Sequence, residues 1–507
     1  MHSALGTRLA RPPVRDRPKE PSWLDLSLSL DEGDASARTV GEVSPLEGSS
    51  TEVARPTPLV ALLSRLGALQ ARFGVAPAMI KGAGWSIGGT ASGALVSFVV
   101  QVILARALQP TGYGVYSYLL AWVNVAALIG KLEFDTAAIR FVAAYDGQRQ
   151  DGLLRGFWLY GFRLVSRTAT GVALLGGVAA WLLRRSLHPG IEGGIWAAAA
   201  LVPVSALLGY SASTLQGFRR VPQAQLPQQV LRPVLFGVGI VLVTVGFGVQ
   251  LAAGQAVALN AAATAVALGV SLFLLSRAAP ATAVAATPEF ESDKWMRAIR
   301  SFIVISGAQL ILSQQSDILV VGTVLSPRDA GLYSAASQLA GLTMLGAQAV
   351  IFVVLPFVSD LHARGRRAEL QRLVVRTVQA CAAVSLPAVA LLLVAGRLVL
   401  HAYGPAFVDG YAVLAVLTAG QGVGATLGII SGFLLTMTGH EQAASRMVVG
   451  TAVLNLALTF VLTPTVGIVG AAVATVLAGL TRVWLLQRYA RRHIGVAVRP
   501  YLAAEGA

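Results

Sequence analysis

The chain has 507 residues, of which 55% are hydrophobic and only 12% charged, with a formal net charge of +15. About 25% charged residues is usual in soluble domains, so the composition excludes a string of ordinary soluble domains. The excess of bases does not point to nucleic acid, because the bases punctuate apolar runs and no basic-aromatic groove pattern occurs.

Residues 1–57 are rich in Pro, Ser, Arg and acids, as in RPPVRDRPKEP and DEGDASARTVGEVSP. Such a segment buries too little apolar surface to offset its ordering entropy, and it reads as a disordered cytoplasmic tail. It is not a signal peptide, since no apolar core follows the first bases. Residues 58–80 open with PLVALLSRLGALQARF, where Leu59, Leu62, Leu63, Leu66, Leu69 and Phe73 recur at helical spacing. The spacing predicts an amphipathic helix that lies on the membrane surface or packs against the protein.

Twelve apolar runs follow, each long enough to cross a bilayer as a helix of about 20 residues. They are 83–108, 112–130, 160–183, 195–215, 226–248, 251–276, 300–325, 331–356, 373–396, 411–436, 443–463 and 467–487. The first holds Gly84, Gly88, Gly89 and Gly93 at GxxxG spacing, which suits close helix packing. The single cysteine, Cys381, permits no internal disulfide and reads as core filler.

One turn is written twice. LQPTGYGVYS at 108–117 and LSPRDAGLYS at 325–334 share Leu-x-Pro-x-x-x-Gly-x-Tyr-Ser. One joins spans 1 and 2, the other spans 7 and 8. A weaker echo links TLQGFRR after span 4 to LTMTGHE after span 10. Six helices repeat as six, and an even number leaves both units in the same orientation, related by an axis along the membrane normal. The expected fold is therefore an all-α membrane protein, with about twelve transmembrane helices in two six-helix lobes around a central cleft. The lobes span 81–290 and 291–490, and a short cytoplasmic tail covers 491–507. In each turn the Pro is expected to stop one helix, and the Gly and Tyr to begin the next.

Orientation follows from Lys and Arg in the short loops. Arg140, Arg149, Arg155, Arg219, Arg220, Lys294, Arg297, Arg364, Arg366, Arg367, Arg488, Arg491 and Arg492 collect on one side. Arg184-Arg185 is the chief exception on the other. Both termini are expected in the cytoplasm.

Charges within spans carry the functional signal, because they cost several kcal/mol in hydrocarbon unless a wet cavity or a partner receives them. Arg163 and Arg167 are four apart on one face of span 3, and Arg232 lies at similar depth in span 5 beside Pro233. The three arginines either form a basic cavity or snorkel to the inner headgroups. Asp317, in SQQSDILVV, lies roughly 12 Å from the outer end by helical rise. With Gln314 and Gln315 beside it and Gln309 inward, it either faces the cleft or pairs with a base. Asp135 and Arg140, in EFDTAAIRF, end span 2 as a headgroup-facing pair or as a gate at the inner mouth. Five histidines scattered through the apolar part do not cluster, no Cys or His spacing suggests a metal, and no cofactor or P-loop signature stands.

ARALQPTGYGVYSYLLAWVNVAALI followed by EFDTAAIRFVAAY resembles the opening of the Wzx-type polysaccharide flippases. SQQSDILVVGTVLSPRDAGLYSAASQLAGL resembles the start of their second half, and TLQGFRRVPQAQ is similar to their span 4–5 loop. These flippases belong to the multidrug/oligosaccharidyl-lipid/polysaccharide exporter superfamily. The resemblance covers residues 80–490, through turn patterns rather than a catalytic signature, and the long amino-terminal tail is not part of it. It implies transport of an undecaprenyl-diphosphate-linked oligosaccharide across the inner membrane, for O-antigen, capsule or exopolysaccharide. A polysaccharide polymerase and a chain-length regulator would be natural partners. The rival is a cation-coupled multidrug exporter, which often needs an acid in the first span; 83–108 has none. A peptidoglycan-precursor flippase generally has two further helices. A membrane enzyme would need a sizeable loop outside the membrane, and 131–159 and 277–299 are short.

Overall fold

The computed structural model describes residues 77–186, 190–299 and 314–498. The expected tail at 1–57, most of the helix expected at 58–80, Gln309 and the side chain of Gln314 lie outside the described residues. The chain from Phe73 onward forms one compact unit.

Helices make up most of its described residues, which hold no strand. In hydrocarbon every backbone N–H and C=O must be paired within the segment, and helices achieve that. We number the main helices α1 (Pro77–Lys131), α2 (Phe134–Gly147), α3 (Asp151–Leu182), α4 (Ile195–Gly217), α5 (Val221–Gly246) and α6 (Ala253–Ala278). The second half comprises α7 (Gln314–Val324), α8 (Pro327–Ala363), α9 (Arg367–Tyr403), α10 (Pro405–Met437), α11 (Glu441–Val466) and α12 (Ile468–Ile494). Ten helices among the described residues are long and apolar enough to cross a membrane. One of them, α1, contains both of the first two expected spans, broken where Gln109 turns left-handed (φ 57°). The seventh expected span is described only over its last part, as α7.

The helices segregate. In the first half, α4 packs on α3, α6, α2 and α1, and α5 lies between α1 and α6. In the second, α11 packs on α12, α8 and α9 adjoin, and α10 contacts α9 and α12. The two sets meet mainly along α1 and α8.

The connection between the halves is held on the first one. Glu289 N donates to Gly152 O (2.9 Å) and Arg155 Nη1 to Ala286 O (2.6 Å). Trp295 is fully buried; it packs edge-on against Phe157, and its Nε1 donates to Tyr145 OH (3.0 Å), which in turn donates to Glu291 (3.2 Å). The connection is thus held against the first half as far as Trp295.

The repeated turns differ from the expectation in one respect. Pro110 and Pro327 do not end a helix; each sits in the first turn of the next one, where a missing N–H costs nothing. The break before them is made by Gln109 in one copy. In the other it is made by the N-cap Ser326, whose Oγ accepts from Asp329 N (3.2 Å).

Candidate functional site

Both copies of the turn lie at one end of the bundle, back to back across the lobe interface. A Cβ on Gly114 would overlap the carbonyl oxygen of Pro327, and one on Gly331 would overlap that of Pro110. Equivalent residues thus exchange equivalent contacts, as a two-fold axis requires. Glycine at these two positions lets α1 and α8 touch backbone to backbone.

Side chains extend the closure inward. Arg106 Nε donates to Ala402 O (2.6 Å), and Gln338 Nε2 to Tyr113 OH (3.0 Å). Tyr118 OH bonds Thr323 Oγ1 (3.2 Å), and Asn124 Nδ2 donates to Gln315 Oε1 (3.2 Å) near mid-membrane. Tyr113 also packs edge-on against Phe407. The seam is shut from the turns to the Asn124 level.

The tyrosine that closes each repeat reaches into its own lobe. Tyr116 OH accepts from Asn260 Nδ2 (2.8 Å), and Asn260 Oδ1 accepts from Arg232 Nε and Nη2 (3.2 Å each). Arg232 begins a regular stretch of α5, after a π-turn over Leu226–Leu231. Pro227 and Pro233 delete two backbone donors there, and a wider turn accommodates the interrupted ladder. Arg232, Asn260, Tyr116, Gln101, Gln228 and Ser97 line a recess of about 180 Å³. Gln101 also accepts from Tyr113 OH (3.1 Å), so the recess is one side chain from the seam. A guanidinium has five N–H donors, and Asn260 takes two. Among the described residues no carboxylate pairs with Arg232. The recess therefore presents fixed positive charge and spare donors to an anion.

In the second lobe Tyr333 OH donates to Asp317 Oδ2 (2.9 Å), Thr475 Oγ1 to the same oxygen (2.8 Å), and Asn455 Nδ2 to Oδ1 (3.2 Å). Asp317 is only 2% exposed. Its carboxylate joins α7, α8, α11 and α12. It faces neither the seam nor a base, so in this state it is a structural node rather than the cleft-facing group expected from the sequence.

The other candidates are dispersed. Arg163 and Arg167 are exposed on α3, on the side away from its buried stripe of Phe157, Gly161, Val165 and Ala169. No α3 residue lines the Arg232 recess, so the structure does not join the three arginines. Asp135 does not pair with Arg140; it takes Lys131 (2.5 Å), across a left-handed break at Leu132 and Glu133. Arg140 is exposed beside the Phe141 ring. Sequence reading missed Tyr116, Asn260, Tyr333, Asn455 and Thr475. The tyrosines were visible in the repeat, but nothing near them in sequence names their partners. Among the described residues no cluster suits a metal.

Comparison with known proteins places this geometry. The chain is 27% identical over 192 residues to the probable low-salt glycan biosynthesis flippase Agl15 of Haloferax volcanii, covering 38% of this chain and 40% of that one. The match thus spans less than half of the relative's length. An inward-facing multidrug-resistance MATE family transporter of the MOP superfamily superposes with a TM-score of 0.61 at 14% identity, over 81% of this chain and 94% of that one. The lipid II flippase MurJ, in an inward closed conformation, gives 0.61 at 15% identity, over 80% and 86%. At such identities the two structures establish the fold alone, a two-lobed helical bundle. The model of the family described as polysaccharide biosynthesis protein matches residues 79–362, more than half of the 507, and the chain belongs to that family.

Proposed function

We propose that this protein is a flippase that moves an undecaprenyl-diphosphate-linked oligosaccharide from the cytoplasmic to the outer leaflet of a bacterial inner membrane, with both termini cytoplasmic. The observation that carries the reading is the Arg232 recess: a guanidinium fixed by Asn260 and Tyr116, with donors to spare, one side chain from the lobe interface. A diphosphate needs such donors, because nothing else in the apolar interior replaces its water.

Family membership and the two-lobed fold support the same reading. The seam is closed at the turn end, so the lipid-linked substrate is received from the basic end, and rocking of the lobes would release it past the turns. The diphosphate binds Arg232, and the sugars meet the amides along the seam, Gln101, Gln338, Asn124 and Gln315. Arg163 and Arg167 hold α3 at the headgroups. The Lys131–Asp135 pair fixes the break at the inner end of α1, and Arg140 lies beside it. A polymerase and a chain-length regulator would take the product in the outer leaflet.

Deletion of the gene tests this in cells. Lipid-linked repeat units should accumulate on the cytoplasmic side, and a wild-type copy should clear them. Arg232→Ala, at normal membrane abundance, should fail to clear them. Polymer fully restored by Arg232→Ala would refute the site.

A further inference from the structure

At the basic end, α12 finishes in a π-turn over Ala490–Ile494, and the chain reverses at Gly495 (φ 75°). The returning segment is clasped to α9: Gln371 Nε2 donates to Ala497 O and Ala497 N donates to Gln371 Oε1, both at 2.7 Å. Behind the π-turn, Tyr489 stacks on His493 (ring centroids 4.0 Å) and meets His440 edge-on (5.6 Å). These contacts fix both walls of a recess of about 640 Å³ lined by Arg488, Arg491, Arg492, Gln487, Trp484 and Ala497.

Two features give the recess a ligand chemistry. Arg488, Arg491 and Arg492 face it, and among the described residues no carboxylate lines it or pairs with them. Trp484 is 55% exposed and carries the Arg488 guanidinium 5.2 Å from its ring centroid, which sets this level at the membrane–water interface. The recess is also far larger than one phosphate group.

We infer that Arg488, Arg491 and Arg492 form a site for the phosphodiester headgroup of an anionic bilayer lipid in the leaflet at this end. The site is separate from the Arg232 recess and binds a resident lipid rather than the transported one. Its headgroup sits between the end of α12 and the returning segment clasped to α9, and so ties the second lobe to the bilayer surface.

The test uses the full-length protein in detergent, with thermal unfolding followed against added short-chain phosphatidylglycerol, short-chain phosphatidylcholine or inorganic phosphate. Phosphatidylglycerol should raise the unfolding midpoint saturably, while phosphatidylcholine and inorganic phosphate at equal concentration should not. Arg491→Gln/Arg492→Gln should weaken half-saturation by about tenfold or more, as expected for losing charge-assisted bonds to phosphate. Arg184→Gln/Arg185→Gln, at the other end of the bundle, should leave it unchanged. An undiminished shift in the double arginine variant would overturn the proposal, as would an equal effect of inorganic phosphate, which would make this a soluble-anion site.

Discussion

Asp317 and Arg232 are the two charges that the sequence exposes most plainly, because each interrupts an apolar run. Their partners lie far along the chain: Tyr333, Asn455 and Thr475 are 16, 138 and 158 residues from Asp317, and Asn260 is 28 from Arg232. That a charge was present could be read from the sequence; whether it faced a cavity or a neighbour could not, because that depends on packing between helices. The distinction has a consequence. Asp317→Ala strands the buried donors of Tyr333 and Asn455 at about 1–3 kcal/mol each, while Thr475 can turn to Ala471 O, so the variant should unfold well below the wild-type midpoint. Asp317→Asn keeps acceptors and should lose less. Transport per folded molecule should change little in either, as measured by activity normalised to membrane abundance. Normal stability with lost transport would instead put the carboxylate on the substrate.

At the scale of helices, the repeat was legible because turn chemistry is local: Pro sets φ, a cap satisfies a backbone donor, and Gly permits close approach. What the repeat is for was not local. Gly114 and Gly331 meet Pro327 and Pro110 from the other lobe, so the two turns form the closure between the halves. Adding bulk there should pry the seam open. In Gly114→Val, a cysteine placed at Thr323 should react faster with a membrane-impermeant thiol reagent than in the parent, because the Tyr118–Thr323 contact loosens. Equal reactivity would show that the close approach does not control closure. The connection at 286–299 was also beyond sequence reading. Its polar composition marks a linker, while Trp295 and Arg155 bind it to the first lobe through contacts 150 and 131 residues apart.

At the scale of the molecule, apolar content, span count and loop bases were enough to anticipate a two-lobed helical bundle, because hydrocarbon imposes one solution on backbone hydrogen bonds. The division of charge between the lobes was not anticipated. Each repeat tyrosine anchors a polar cluster in its own lobe, yet one cluster carries an arginine beside an open recess and the other a carboxylate fully spent on neighbours. The frame is shared, and the polar chemistry placed on it differs between the halves. The most direct measurement is translocation in proteoliposomes of a fluorescent or lectin-detectable lipid-linked oligosaccharide, scored by its protection from an external reagent. The wild-type protein should move it between leaflets, and Arg232→Ala, equally reconstituted and equally stable, should be slower by about tenfold or more, the loss of bonds to phosphate worth about 1.5–3 kcal/mol. Equal rates in the two proteins would contradict the account.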